Sequence, residues 1–274
     1  MQTKTVSTEE ILFIHETLVR DFALDGDPID PPGVKSISLL ESAVGRQFTG
    51  IGDVLKYPNP IENAATLMYG ICNDHPFHNG NKRTALVSLM AHLDKNNLVF
   101  YNVRQSTLYN LMLRVASHSL IDEKKTDKKW RKAKSKRIYS DDEVKYIIDF
   151  LRDHTRELKR GEKMLSYKAL RRILKKFNIY LENPHKNQIS VVRHDIVTVG
   201  IFRKKQEVKK INLGSISYFG ENREVGYNII KRVRKMCNLS EENGCDSSSF
   251  YDEESIIDSF INNYRIVLRR LGKV

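Results

Sequence analysis

The sequence predicts an α+β protein built in two parts. Residues 1–122 read as an all-helical domain with one small β-hairpin, residues 123–137 as a basic linker, and residues 138–274 as a basic α+β domain. Three observations carry this division. Apolar residues recur at helical spacing in the first part and alternate with polar ones in parts of the second. A charge-dense, apolar-poor stretch separates the two. The charge balance also changes: residues 1–122 hold 10 Lys+Arg against 13 Asp+Glu, and the remainder holds 36 against 21. Such asymmetry points to two units with different partners.

In the first part, Ser7-Thr8-Glu9-Glu10 has the form of a capping box, in which the Ser hydroxyl and Glu carboxylate satisfy orphan helix amides reciprocally. Ile11, Ile14, Leu18 and Phe22 follow at helical spacing. The three prolines and two glycines of Asp25–Gly33 demand a loop. A helix begins within Ser38–Val44. Gly45–Pro60 reads as an extended or hairpin segment, and Ile61–Asn73 as another helix. Leu86, Leu89, Met90 and Leu93 form one buried helix face, and Thr107–His118 a further apolar-striped helix.

The stretch Glu123–Arg137 has nine basic residues in fifteen and one large apolar side chain, Trp130. It suits a solvated connector or a polyanion-binding arm. Ser140-Asp141-Asp142-Glu143 is a second capping-box pattern, opening a helix expected to run toward Gly161. Tyr167–Phe177 is a basic amphipathic helix. Gln188–Arg193, Ile196–Phe202 and Ile211–Phe219 have strand character. Val225–Cys237 and Ser255–Leu271 are expected to be helical, with a polar, Ser-rich loop at Asn238–Asp252.

Composition narrows the class. Hydrophobic residues make up 40% and charged residues 29%, as in ordinary folded domains. No run approaches the roughly 18 apolar residues of a membrane helix, and MQTKTVSTEE has no apolar core of the signal-peptide kind. Cys72, Cys237 and Cys245 fit no metal-site spacing. Reduced thiols in a cytoplasmic protein are the expectation.

The chemistry concentrates in His75-Pro76-Phe77-His78-Asn79-Gly80-Asn81-Lys82-Arg83. It lies between two apolar-striped helices, so it should be a loop entering a helix near Gly80–Lys82. The first amides of a helix lack internal partners and the helix dipole favours an anion there. Gly80 allows close backbone approach. Lys82 and Arg83 add positive charge, Arg83 with the geometry to grip a phosphate twice. His75 suits a general base, because histidine is the side chain whose reference pKa lies nearest neutrality. His78 is compatible with packing or substrate contact. His15, His92 and His118 lie within helices, where packing roles are the default.

These residues resemble the Fic/Doc family, whose motif has the form HxFx(D/E)GNxR. The match lies at His75, Phe77, Gly80, Asn81 and Arg83, and STEEILFIHE (Ser7–Glu16) is also similar to the start of Doc proteins. The resemblance implies a compact helical Fic/Doc fold over roughly residues 7–120. It also implies a hairpin flap within Gly45–Tyr57 that holds the target segment. It assigns His75 as general base on a target hydroxyl, Phe77 as the loop's anchor, Gly80 to the anion hole, and Asn81, Lys82 and Arg83 to nucleotide phosphates. The implied cofactors are ATP and Mg²⁺. NKRTA is the Doc-like form, with Lys82 in place of the second glycine of Fic adenylyltransferases. Leu86 stands where those enzymes carry a second arginine, which favours γ-phosphate transfer over AMP transfer. Asn79 occupies the acidic metal position, and a neutral amide offers magnesium one carbonyl oxygen instead of a carboxylate.

Doc-like proteins are similar to toxins that phosphorylate a translation factor, elongation factor Tu, and are neutralised by an antitoxin. The resemblance therefore implies a protein substrate, an antitoxin partner and a setting in a toxin-antitoxin or phage-defence system. Two alternatives stand beside this kinase reading: a Fic-type protein adenylyltransferase, and a catalytically weak Fic domain joined to an RNA- or DNA-binding module. In the second part, the α-β-β-β-α order with His185 at the first hairpin resembles HicA-type toxins, which have double-stranded-RNA-binding-like folds. Asn183-Pro184 stands where those have Gly-Ser. The basic residues there suit nucleic-acid phosphates or an acidic antitoxin.

Overall fold

The computed structural model describes residues 3–121, 140–158, 165–199, 205–221, 223–239, 243, 250 and 253–274. The expected linker, with Trp130, lies outside the described residues, as do Gly161 and Cys245. The chain forms two compact units, Met1–Lys159 with Tyr264–Val274, and Arg160–Asn263.

The first unit is helical. Helix α1 (Thr8–Leu24) opens with the expected capping box: Ser7 accepts from the Glu10 amide, and the Glu10 carboxylate accepts from the Ser7 amide at 2.7 Å. Helix α2 (Ile37–Gly45) is capped by Ser36 and runs into a 3₁₀ turn, Arg46–Phe48. Strands β1 (Gly50–Ile51) and β2 (Val54–Leu55) form the hairpin expected in Gly45–Tyr57. Helix α3 (Pro60–Asn73) begins with proline in its first turn and an Asn59 cap, an entry in which proline's missing amide costs nothing. Helix α4 (Asn81–Lys95) follows the motif loop. Both are buried almost all round, so they form the centre of this unit and fix the two ends of the loop between them. Strand β3 (Leu98–Phe100) and helix α5 (Gln105–Ala116) complete this stretch.

The first unit does not end at residue 122, as the sequence suggested. Helix α6 (Ser140–His154) packs against α3 through Val144, Ile147, Ile148 and Leu151, and strand β4 (Thr155–Glu157) pairs antiparallel with β3. The apolar stripe of α6 carries no mark of which unit it serves, which is why charge placed the boundary too early. The second capping box is also corrected. Ser140 is already in the helix, and the buried Glu143 accepts from Tyr69 Oη at 2.8 Å, with His118 Nδ1 at 2.9 Å. Burial first, and then Glu143, hold the Tyr69 phenol far above its ordinary pKa, so it stays a donor. The last helix of the chain, Arg265–Leu271, also belongs to this unit.

The second unit begins with strand β5 (Leu165–Ser166) and helix α7 (Tyr167–Lys176). Strands β6 (Ile179–His185), β7 (Gln188–Val199) and β8 (Lys205–Ser217) make an antiparallel sheet in the order 6-7-8. Strand β9 (Glu224–Val225) pairs with β5, and helices α8 (Tyr227–Met236) and α9 (Glu253–Asn263) follow. The core joins Leu170, Ile173 and Leu174 of α7 and Ile230 and Val233 of α8 to Ile179, Leu181, Ile189, Val191 and Ile216.

The α-β-β-β-α order holds, but the strands differ from those expected. Gln188–Arg193 and Ile196–Phe202 belong to one long strand up to Val199, and β6 was missed because Asn183-Pro184 reads as a break. The structure accommodates that pair with a bulge between Glu182 and His185. Lys186 and Asn187, both at positive φ, make the two-residue turn of the primed type that suits twisted hairpins. The expected helix Ser255–Leu271 is divided at Tyr264. Its second half, helix α10 (Arg265–Leu271), returns to the first unit.

Replacing Leu151 with Ala should lower stability by about 2–5 kcal/mol, the usual cost of a cavity at a fully buried leucine. Urea unfolding measures this. A loss near zero would mean that α6 is not part of the first unit's core.

Candidate active site

The segment His75–Gly80 is a loop held from three sides. Against it runs the chain at 33–36: the Lys35 and Ser36 amides donate to the Pro76 carbonyl at 2.8 and 3.1 Å, and the His78 amide donates to the Gly33 carbonyl at 3.1 Å. Beneath it lies Asn81, whose side chain bonds both polar backbone groups of Phe77. Oδ1 accepts the Phe77 amide at 3.0 Å, and Nδ2 donates to the Phe77 carbonyl at 2.9 Å. From α1 comes His15. Its ring stacks on the buried Phe77 ring with centroids 3.9 Å apart and planes at 12°.

His15 also fixes the helix that follows. Its Nε2 accepts the Gly33 amide at 3.2 Å, so in the neutral ring the proton resides on Nδ1, which donates to Thr84 Oγ1 at 3.0 Å. Burial, reinforced by the Arg83 charge, pushes the His15 pKa down to about 4. The ring is therefore neutral at pH 7, as this pair of bonds requires. Sequence reasoning left His15 as a packing residue. Its one signal was its place in STEEILFIHE.

Gly80, at φ +79, ends the loop and starts α4. A Cβ there would sit 3.1 Å from Ile29 and 3.5 Å from His15, in a backbone conformation that L side chains rarely adopt, so glycine is required twice over. No side chain caps α4, and its first turn contains no acidic residue. It carries Lys82 and Arg83 instead, cations at the positive end of a helix dipole, an arrangement that an anion would stabilise.

The predicted residues separate into two groups. His75, at φ +49, is exposed on the loop that leads to this helix start, as are His78 and Asn79. Phe77, Gly80, Asn81 and Arg83 are buried. The Asn81 side chain is spent on the loop backbone, so what it can offer a phosphate is its amide. Lys82 Nζ donates to the Val274 backbone oxygen at 2.8 Å. Arg83 is 2% exposed, with its guanidinium 4.7 Å above the Phe22 ring and 3.5 Å from Asp27. Burial lowers its pKa, against the pull of Asp27.

Asn79 does not fit a metal role. Its Oδ1 accepts the Gly80 amide at 2.7 Å and its Nδ2 donates to the Asp30 carbonyl at 2.9 Å, so the neutral amide is turned onto its own loop. No group of three or more His, Cys, Asp or Glu among the described residues is placed to hold a metal ion. Asp74 is a half-buried neighbour of His75 and Arg46. Burial raises its pKa, against the opposing pull of Arg46 and then His75. The Cys72 thiol is pushed up to about 12 by burial, so it is not a nucleophile. The hairpin presents Ile51, 90% exposed, and Val54, 74% exposed.

Residues 5–93 match the model of the Fic/DOC family, and that segment is a Fic/DOC domain. Members of this family are transferases of the AMP- or phosphate-transferring kind that act on proteins. The match covers about a third of the chain and none of residues 160–263. Comparison with curated proteins finds no match. Among the described residues no helix is long and apolar enough to cross a membrane.

His15 and the buried His92, whose pKa burial also pushes down to about 4, predict the acid limit of this domain. In the unfolded chain both take up protons as pH falls through about 6.5, whereas the folded state refuses them until about 4. Their stabilisation is therefore full above pH 6.5 and is lost between 6.5 and 4, at up to about 3 kcal/mol each. Urea midpoints across that range should fall, and more gently in His15→Gln. An identical slope in the variant would remove His15 from this role.

Proposed function

We propose that the first unit is a Doc-like kinase that transfers the γ-phosphate of ATP to a hydroxyl of a bacterial protein, acting as a toxin in a toxin-antitoxin or phage-defence system. The observation that carries this is the pairing of exposed His75 with the uncapped start of α4 and its Lys82. In this reading His75 takes the proton from the attacking hydroxyl as the new O–P bond forms. ADP leaves with the bond to its β-phosphate oxygen broken. The amides of Asn81 and Lys82, with the Lys82 ammonium, hold the phosphates. Magnesium would supply further charge neutralisation on those phosphates, and Asn79 is given no part in holding it. Leu86 supports γ-phosphate transfer over AMP transfer, because it is wholly buried where adenylyltransferases of this family carry a second arginine.

Elongation factor Tu is the first target to test, and a proteinaceous antitoxin is the proposed partner. Incubation of a bacterial extract with the protein and ATP labelled at either the γ- or the α-phosphate is decisive. Label should pass from the γ-position only, and His75→Ala should reduce transfer at least a hundredfold, in line with the worth of a general base. Transfer of α-label would instead make the domain an adenylyltransferase. Label undiminished in His75→Ala would overturn the role given to that histidine.

For the second unit we infer a phosphate-rich partner, and nucleic acid in particular. Residues 160–240 hold 19 Lys+Arg against 6 Asp+Glu. Helix α8 buries Ile230 and Val233 and exposes Lys231, Arg232 and Lys235, which leaves three cations along its outer face. His185 is exposed at the β6–β7 turn and is given no catalytic part. The protein should bind duplex RNA with an affinity that falls steeply between 50 and 200 mM salt, on the order of tenfold or more. The triple change Lys231→Glu, Arg232→Glu and Lys235→Glu should weaken it at least tenfold. RNA affinity unchanged in that variant would move the proposed interface off α8.

A further inference from the structure

Helix α10 and the residues after it cover the cationic start of α4. Val267, Leu268 and Leu271 are buried, and the Val267 amide donates to Gln105 Oε1 of α5 at 3.0 Å. Arg265 pairs with Asp21 at 2.5 Å and also with Asp25, and Arg269 reaches Asp25 at 3.0 Å. Arg270 lies over the Tyr109 ring, 3.9 Å from its centroid. These contacts bring Gly272 onto the Arg83 guanidinium: a Cβ on Gly272 would lie 2.5 Å from Nη2 and 2.7 Å from Cζ. Two residues on, the Val274 oxygen accepts from Lys82.

What this covering segment supplies to Arg83 is incomplete. Nε and Nη1 are buried without a hydrogen-bond acceptor among the described residues, and the Asp27 carboxylate at 3.5 Å is too far to serve as one. A guanidinium has five donors and stays charged, so burying it half-satisfied is costly. An oxyanion would satisfy it better than a glycine backbone does. The segment is held by one apolar stripe, by the largely buried pair of Arg265 with Asp21, and by pairs of Arg265 and Arg269 with Asp25, of which the Arg269 pair is the most exposed and contributes least. Nothing in these contacts is covalent, and the best ligand for the site they cover is an anion.

We propose that residues 265–274 are a displaceable strap over an anion site made by Lys82, Arg83 and the first amides of α4, so that polyphosphate binding and strap docking exclude one another. The proposal rests on the phosphate-binding part of the functional reading and not on transfer. The covered state lowers apparent affinity by the fraction of molecules in which the strap is open. Weakening the strap therefore raises affinity even where the change removes positive charge.

The test titrates the full chain with inorganic tripolyphosphate by calorimetry. Arg265→Ala with Arg269→Ala should bind at least ten times more tightly than the unaltered chain, although it loses two positive charges, and adding Arg83→Ala should cancel the gain. In the unaltered chain, saturating tripolyphosphate should speed hydrogen exchange of the amides at 267–271. Gly272→Ala offers a second route should the double variant fail to fold. Its methyl group presses the strap off the guanidinium without touching the ion pairs, and the same gain is expected. Equal or weaker binding in the folded variant, a gain that survives Arg83→Ala, or exchange that slows or stays the same at saturation would each overturn the strap. So would the absence of binding in every variant. Tripolyphosphate binding with these signatures, in a protein that transfers no label from ATP, would support the strap and refute the kinase.

Discussion

The Asn81 side chain, bonded to both the amide and the carbonyl of Phe77, is the interaction on which the site depends. A loop between two buried helices has polar backbone groups that must find partners. Here one amide side chain from the first turn of the following helix satisfies two of them. That choice turns Phe77 inward, where its ring meets His15. With Phe77 fixed, His75 is left on the surface two residues before it, and Gly80 three residues after it starts α4 with free amides. The pattern of letters in this segment is thus mostly a pattern of loop construction. Of its side chains, His75, His78 and Asn79 are left exposed.

The helical first unit was legible because its rules are local. Ser7 with Glu10, Asn59 with Pro60, and the stripe through Leu86, Leu89 and Leu93 each announce their element within a few residues. The motif was legible for the same reason: nine consecutive residues carry the loop, the helix start and an exposed histidine. What could not be read were the contacts between residues far apart in sequence. Nothing near His15 says that it will meet Phe77 and Thr84, 69 residues away in the latter case. Nothing near Glu143 says that it will be buried against Tyr69 instead of capping its own helix. Arg83 looked like an exposed phosphate clamp because no local signal could foretell Gly272 above it.

The second unit shows the opposite balance. Its topology was recoverable from alternation and turn chemistry, but its strand boundaries were not. Asn183-Pro184 resembles a break, yet a bulge keeps β6 paired to β7 through it. Alternation over Gln188–Phe202 looked like two strands, because His194 and Asp195 interrupt the apolar run. In the structure His194 stacks on Tyr180 at 4.0 Å and bonds Glu182 at 2.8 Å, so a polar pair serves the strand where an apolar residue was expected.

Because Tyr264–Val274 belongs with Met1–Lys159, the chain leaves the first unit, builds the second, and comes back. Arg265 and Asp25 are partners separated by 240 residues of chain. Closing so long a loop is slow relative to forming the local contacts of α1–α5. During synthesis the ribosome must emit all of residues 160–263 before α10 can dock. Throughout that interval the surfaces of α4 and α5 that receive Val267, Leu268 and Leu271 stand open to water. A nascent chain of this protein therefore passes through a period in which its first helices have assembled but still wear an unsealed apolar face, and that is the window in which a chaperone would find it most receptive.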